Sequence, residues 1–533
     1  MSGMTEHMEK KNVTTIFRSL QEASPVVWLT MILLAGFGLR IYFFIGLNFA
    51  DDTWYVFLAN QVCEGTFNAT DNGALRLMMI YPLALMFKLF GINNAAGSIY
   101  PMACSLGTII LAYACGKLLF NIRTGLLAAL LICFYPLNVI YASWFMPDVP
   151  VDFFTSAGIL VFLHVYKKER SMSEFKKHVL LYAGGFLFGI AYLANVRSII
   201  SFFVIAPLAA VWLWKKRSNK KRLFTYFTAV TLFFIGFASV VMFEGMYHWK
   251  KSGDFLLTYH RTTAYYSDKS GFLLEGVNTH LDYYPNIMFN LDHRMRFSMG
   301  NKMLIYGYFF LFFAAATVFL LLRRERRMLI PFWWFIALFF YLQFGSMSFK
   351  EYIPIHRLDR HLTVITIPAV VIIAACMSHL IAFRLRRNRF VAYLNRFIVA
   401  AALIFLLKTS LEFSAAIVAD MRAPAYDMQE IYNVLKDYPE KDIYADPGVL
   451  SHLHFYFQFK NSHLRHNIQY SLPTHDSYVV LDGTRGFMEN PRLRSSQPVW
   501  MQKPDPSWEL IRVIKGPRIG IYADFDPKIY HVP

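Results

Sequence analysis

Charge is scarce in this chain. Asp, Glu, Lys and Arg make up 17% of its 533 residues, against about 25% in an ordinary soluble domain. Cysteine is scarcer: Cys63, Cys104, Cys115, Cys133 and Cys376, with no C-x-x-C pair. An odd, scattered set excludes a disulfide framework and a zinc ribbon, and the four in apolar runs read as small buried hydrophobes. No internal repeat, low-complexity tract or inverted repeat of the transporter kind is visible. Collagen-like, coiled-coil and disordered chains are excluded by the same composition. What is abundant is apolar: 56% hydrophobic residues, with 51 Phe. A soluble protein could not bury that much, so the chain reads as an α-helical polytopic membrane protein.

Acidic residues are the scarcer charge, 35 against 53 Lys and Arg, a formal +18. The cations come in short clusters between apolar runs: Lys167 to Lys177, Lys215 to Arg222, Arg323 to Arg327 and Arg384 to Arg389. That is the pattern of cytoplasmic loops, so the basic balance reports topology and anionic headgroups, not nucleic acid.

Runs long enough to cross a bilayer lie near 26–47, 97–119, 125–145, 152–166, 179–196, 198–214, 223–243, 303–322, 328–345, 361–383 and 396–417. The first is roughly 33 Å of helix and follows a polar segment, 1–25, with no small-residue cleavage site, so it reads as a retained span. Residues 75–90 are apolar but hold Arg76, Pro82 and Lys88. Treating them as an interfacial helix puts every basic cluster on one face. The expectation is about 11 spans, N-terminus cytoplasmic, over a domain at 26–417 with outer loops 48–96, 146–151 and 244–302. Residues 418–533 read as a small extracytoplasmic α/β domain: a helix at 426–438, strands at 443–444, 478–481 and 508–514, and a last strand at 519–522.

The chemistry concentrates at the outer mouth. Asp51 and Asp52 directly follow the first span, and two adjacent carboxylates titrate as a pair, one able to serve as a base. An ordinary helix-start cap is the alternative. Asp148 lies on the same face between Pro147 and Pro150, again a candidate acid or a helix cap. Outer-face cations able to bind a phosphate are Arg76, Arg261, Arg357 and Arg360. Tyr259 to Tyr266 is aromatic-rich; Tyr265 and Tyr266 could stack on a sugar or belong to an interfacial belt. His260 with Asp51 and Asp148 is a candidate set for a divalent metal ion, though no H-x-x-x-H spacing supports it, and no other cofactor is indicated.

These stretches resemble the GT-C superfamily of integral-membrane glycosyltransferases, in the branch of protein O-mannosyltransferases and lipid A aminoarabinose transferases. Carrying the resemblance are Asp51-Asp52-x-x-Tyr55-x-x-x-Ala59 with Gly65, the helix ending Lys88-Leu-Phe-Gly91, and the Pro147-Asp148 loop before Phe153-Phe154. Gly185 to Gly189 with Arg197, and Arg360-His361 through Pro368, complete it. The chain departs in having Asp-Asp for Asp-Glu, His361 for Tyr, and no Lys-Pro-Pro element; the Trp-Trp-Asp-Tyr-Gly signature of oligosaccharyltransferases is absent. The resemblance implies an inverting transferase that moves a sugar from a polyprenyl-phosphate donor to a hydroxyl acceptor on the outer face of a bacterial-type plasma membrane. It implies Asp51 as base, Asp52 and Asp148 as supporting acids, Arg76, Arg360 and Arg261 on the donor phosphate, and Tyr55 with Tyr265 and Tyr266 on substrate. The alternatives are a flippase for lipid-linked glycans, with Arg40 inside the first span as its candidate charge, and a non-catalytic envelope-assembly partner.

Overall fold

The computed structural model describes residues 24–48, 51–69, 71–218, 220–274, 281, 283–289, 308–346, 352, 355, 357–383, 389–465, 473–481, 504–516 and 526–533. Among them, nine helices are long and apolar enough to cross a membrane, and Ile122–Phe134 and Phe309–Leu322 are shorter apolar helices at the places of two further expected spans. The chain has the helical membrane architecture expected, with a small C-terminal sheet.

The first helix, α1 (Pro25–Tyr42), starts at a proline, tolerated there because the first N–H groups have no intrahelical partner. Its Arg40 is fully buried and does not snorkel. Nε donates to Ser105 Oγ at 2.8 Å, Nη2 to Asn138 Oδ1 at 3.1 Å and Nη1 to Gly36 O at 3.0 Å. A buried cation is tolerable only when its donors are answered, so Arg40 ties α1 to α4 (Asn94–Leu119) and to α6 (Pro136–Ile140).

The chain then turns sharply. Gly46 has φ +77, and a Cβ there would stand 2.8 Å from Asn94 Oδ1. That oxygen accepts from Leu47 N at 2.9 Å, while Ile45 N donates to Ser143 Oγ at 2.8 Å. The turn therefore delivers α2 (Asp51–Glu64) against α3 (Leu77–Phe90), the apolar helix that the sequence puts in the interface.

The expected span over 125–145 is interrupted. Helix α5 (Ile122–Phe134) stops before Pro136, which has no N–H to continue it and instead opens α6. The next helix, α7 (Asp148–Lys168), starts four residues before the expected 152, directly after Pro147, so most of the expected loop is helix. Between α8 (Glu174–Ala194) and α9 (Phe202–Trp214) lies a 3-10 turn, Val196–Ser201. Helix α8 packs on α10 (Lys220–Ser252) so closely that a Cβ on Gly185 would sit 1.7 Å from Phe233 O. Helix α11 (Leu257–Leu274) follows, then α12 (Tyr283–Phe289), α13 (Phe309–Leu322) and α14 (Leu329–Phe344). A second 3-10 turn, Asp359–Ile365, leads into α15 (Thr366–Ala382).

Helix α16 (Arg389–Leu435) runs unbroken past residue 418 and includes most of the helix expected at 426–438. The tail packs its own core, around Ile431, Leu450 and Val479, beneath a five-stranded sheet of order β2-β1-β3-β5-β4. The strands are β1 (Ile443–Tyr444), β2 (Leu464–Arg465), β3 (Ser477–Leu481), β4 (Glu509–Val513) and β5 (Lys528–Val532). β1 is parallel to β2 and β3, and β5 is antiparallel to β3 and β4. β2 and β5 are strands that the sequence does not lead one to expect, and the strand expected at 519–522 lies outside the described residues. Helix α17 (Pro447–Tyr456) docks the tail on the membrane part: Phe455 is buried in the membrane core, and its ring centre lies 6.4 Å from that of Phe145.

Candidate active site

Four residues from four separated stretches meet where α2, α3, α7 and the Asp359–Ile365 turn converge. Arg360 Nη2 lies 3.5 Å from Asp51 Oδ2, and Arg360 Nε lies 3.5 Å from Asp148 Oδ2. Arg76 Nη1 reaches the same Asp51 oxygen at 3.6 Å. The two carboxylates differ in access: Asp51 is 53% exposed, Asp148 only 7%. Asp148 sits at the first residue of α7, where the helix dipole favours a negative charge.

Arg76 is placed by a tight loop. Asp71 Oδ1 accepts from Gly73 N at 2.6 Å, Ala74 N at 3.0 Å and Trp54 Nε1 at 3.2 Å. The guanidinium then lies over the Tyr55 ring, 5.2 Å from its centre. Burial lowers its pKa from the ordinary value; Asp51 opposes that shift, and the charges of Arg197 and Arg360 reinforce it.

Arg197, which ends the Gly185 to Arg197 segment of the resemblance, joins the site without a sequence signal that marks it as a site residue. It sits on the Val196–Ser201 turn, a connection so short that the apolar runs almost merge across it. Its Nη1 is hydrogen-bonded to His361 Nε2, and its Nε donates to Asn195 Oδ1 at 3.3 Å. It separates two cavities. One, a small cavity, is bounded by Asp148 and His361 with apolar walls of Val151, Ile200, Leu342 and Val364. The other, smaller still, is bounded by Arg76, Asn72, Tyr192 and Thr258.

Several expected site residues stand elsewhere. Asp52 is fully buried and turned away: its Oδ2 accepts from Trp144 Nε1 at 2.9 Å and from Asn48 N, so its support of the site is to anchor the turn that carries Asp51. Tyr55 is likewise fully buried, beneath Arg76, and lines neither cavity. Arg261 is exposed on α11; its neighbours Thr258 and Thr262 line the cavity, and it does not. Tyr265 is 38% exposed on the same helix, and the side chain of Tyr266 lies outside the described residues. Arg357 is fully buried and donates to Gln343 O.

His260 does not join Asp51 and Asp148. Its Nδ1 pairs with Asp254 Oδ2 at 2.9 Å, an interaction that holds the Asp254 carboxyl below its usual range. Among the described residues no group of three or more His, Cys, Asp and Glu side chains is placed to hold a metal ion. Positive charge between the two acids comes from guanidinium groups.

Residues 75–243 match the family of dolichyl-phosphate-mannose-protein mannosyltransferases. No curated protein matches the chain in sequence. Among solved structures it is similar to ArnT from Cupriavidus metallidurans bound to undecaprenyl phosphate, at 13% identity and TM-score 0.58, covering 95% of this chain and 97% of that one. It is also similar to the oligosaccharyltransferase AglB from Archaeoglobus fulgidus in complex with an inhibitory peptide and a dolichol-phosphate, at 13% identity and TM-score 0.53. That match covers 86% of this chain, which spans 62% of the archaeal enzyme's length. The fold is that of the GT-C membrane glycosyltransferases.

Proposed function

We propose, on the premise of a GT-C fold with a mannosyltransferase-family match at 75–243, that this chain is an inverting glycosyltransferase acting on a polyprenyl-phosphate-linked sugar. The observation that carries the reading is Arg360 standing between Asp51 and Asp148 with Arg76 on the same Asp51 oxygen. One carboxylate is open to an incoming acceptor, and guanidinium groups gather beside it for a leaving phosphate.

Asp51, the exposed member, takes the proton of the acceptor hydroxyl as that oxygen attacks the anomeric carbon. The bond from that carbon to the phosphate oxygen breaks on the opposite side, so the configuration inverts. The phosphate leaves with the electron pair, and Arg76, Arg197 and Arg360 stabilise its charge. Preorganised charge in a partly buried site acts most strongly on the transition state. Asp148 holds Arg360 in place.

We place the site on the extracytoplasmic face of the inner membrane, following the clustering of Lys and Arg on the opposite loops. Cysteine labelling at Asp254 and at Lys216 tests this, with only the former accessible from outside. The acceptor is a hydroxyl-bearing glycan, lipid or protein. The flippase alternative loses its candidate charge, because Arg40 is locked between helices.

The test is transfer from a panel of radiolabelled polyprenyl-phosphate sugars in liposomes. Wild type transfers or hydrolytically releases the sugar. Asp51→Asn loses that turnover and keeps donor binding. Label that crosses the bilayer uncleaved, equally in both proteins, refutes the enzyme reading. Indifference of every donor to the chain supports the scaffold alternative.

A further inference from the structure

At the start of α1, the end away from Asp51, lies a cavity of about 670 Å³ that the transfer chemistry does not use. That volume is ordinary for a ligand site. Its walls come from three helices and a turn. They include Trp28 on α1, Asn121 and Arg123 at the start of α5, and Arg327 on the turn before α14. Ser378 and His379, near the end of α15, complete the polar lining.

These walls are built to donate to an anion. Among the described residues no Asp or Glu lines the cavity. Glu325, just outside it, holds two of the cations: Arg327 reaches it through Nε at 2.8 Å and Nη2 at 2.9 Å, and His379 Nε2 lies 3.2 Å from its Oε2. That carboxylate offsets one positive charge. Arg123 is exposed, and among the described residues its guanidinium makes no ion pair, so its charge is left unbalanced. Asn121 caps α5, its Oδ1 accepting from Thr124 N at 2.9 Å, so its amide N–H groups are what it offers the cavity. Ser378 is only 4% exposed, and among the described residues its hydroxyl makes no hydrogen bond. The start of α5 adds the positive end of a helix dipole.

The surroundings say which anion. Only 11% of the α1 span is buried, so this helix faces lipid along most of its surface. Val26, Ile122 and Leu329 stand exposed around the cavity. Trp28 has the apolar body and polar N–H that suit headgroup depth. A soluble anion has no use for that apolar border, whereas acyl chains cover it. We propose that the cavity binds the phosphate headgroup of an anionic phospholipid of the cytoplasmic leaflet, the phosphate on Arg123 and the start of α5 and the acyl chains along α1 and α5. Basic pockets between membrane helices recognise headgroups in this way. The bound lipid bridges α1, α5 and α15 and stabilises the bundle. The inference takes from the reading above only the orientation in the membrane.

The test titrates short-chain phosphatidylglycerol into the detergent-solubilised full chain and follows the melting temperature. Phosphatidylcholine of the same chain length and inorganic phosphate are the other two arms. Wild type melts higher with phosphatidylglycerol alone, as a ligand that binds only the folded state requires. Arg123→Gln, at an exposed position, needs about fivefold more of that lipid for the same shift; fivefold corresponds to about 1 kcal/mol. Lys168→Gln, which removes an exposed cation from another basic cluster, keeps the wild-type titration. The same titration in wild type and Arg123→Gln, or an equal loss in Lys168→Gln, overturns the site. An equal shift with phosphatidylcholine removes the role of charge and overturns it too. A shift with inorganic phosphate as large as with the lipid assigns the cavity to a soluble phosphate and overturns the lipid. None of these readouts involves transfer, so failure here leaves the enzyme reading standing.

Discussion

The guanidinium of Arg76 lies 5.2 Å above the centre of the Tyr55 ring, so the tyrosine of the first acidic motif serves as a seat for a cation. Among the described residues the buried Tyr55 hydroxyl has no hydrogen-bond partner, so only its ring matters to Arg76. Tyr55→Phe should therefore keep full activity. Tyr55→Leu should lose a cation–π contact of about 1 kcal/mol, raising the donor KM roughly fivefold. Steady-state kinetics of the two variants in parallel check this, and equal losses in both would refute it.

Arg360 contacts both acids, and its removal should be the most damaging of the cation changes. Arg360→Gln takes away a donor poised on the leaving group, which in comparable sites costs about 10²–10³ in kcat. Asp148→Asn removes the less exposed of its two partners and should act through Arg360, lowering kcat less than Asp51→Asn does. Measured turnover in the order wild type, Asp148→Asn, Asp51→Asn would support this; Asp148→Asn falling as low as Asp51→Asn would assign the base to Asp148.

Trp144 Nε1 donates to the fully buried Asp52 at 2.9 Å. Trp144→Phe keeps the ring and deletes that donor, leaving the carboxylate short of a partner at a cost of about 1.5–3 kcal/mol. The expected outcome is a lower unfolding temperature together with a kcat loss, because the turn carrying Asp51 loosens. Circular dichroism melts in detergent and the transfer assay report the two effects separately.

On the loop before α14, Arg327 chelates Glu325 through Nε at 2.8 Å and Nη2 at 2.9 Å. The Glu325 carboxyl is pulled down to about 2, first by that bond. A depressed carboxylate stabilises the fold above its unfolded value near 4.5 and loses that stabilisation as pH falls toward 2. The contribution at neutral pH is about 3 kcal/mol at most. Glu325→Gln should melt several degrees lower at pH 7, with the gap closing between pH 4.5 and 2. A gap independent of pH would show that the pair contributes nothing through charge.

Much of the architecture could be read along the chain because a bilayer accepts only backbone that satisfies itself, which forces long apolar runs into helices. Those runs located the spans, and the position of Asp51 and Asp52 just after the first one pointed to the site. Where the local pattern misled, a tertiary partner explains it. Asp52 looks like the twin of Asp51, yet helical geometry turns adjacent residues about 100° apart, and Trp144 claims the second. Arg40 looks like a charge stranded in lipid until Ser105 and Asn138 arrive from other helices. Arg197 sits on a turn so short that hydropathy nearly erases it.

The sequence by itself determined that this is a polytopic helical membrane protein with an acidic mouth, since hydropathy and helix period are local properties of consecutive residues. Only the tertiary structure decided that Arg360 lies between Asp51 and Asp148. Asp51 and Arg360 are 309 positions apart. Their meeting depends on how glycine-lined helices such as α8 and α10 close on one another, which is fixed by packing across the bundle and leaves no periodic trace in either segment.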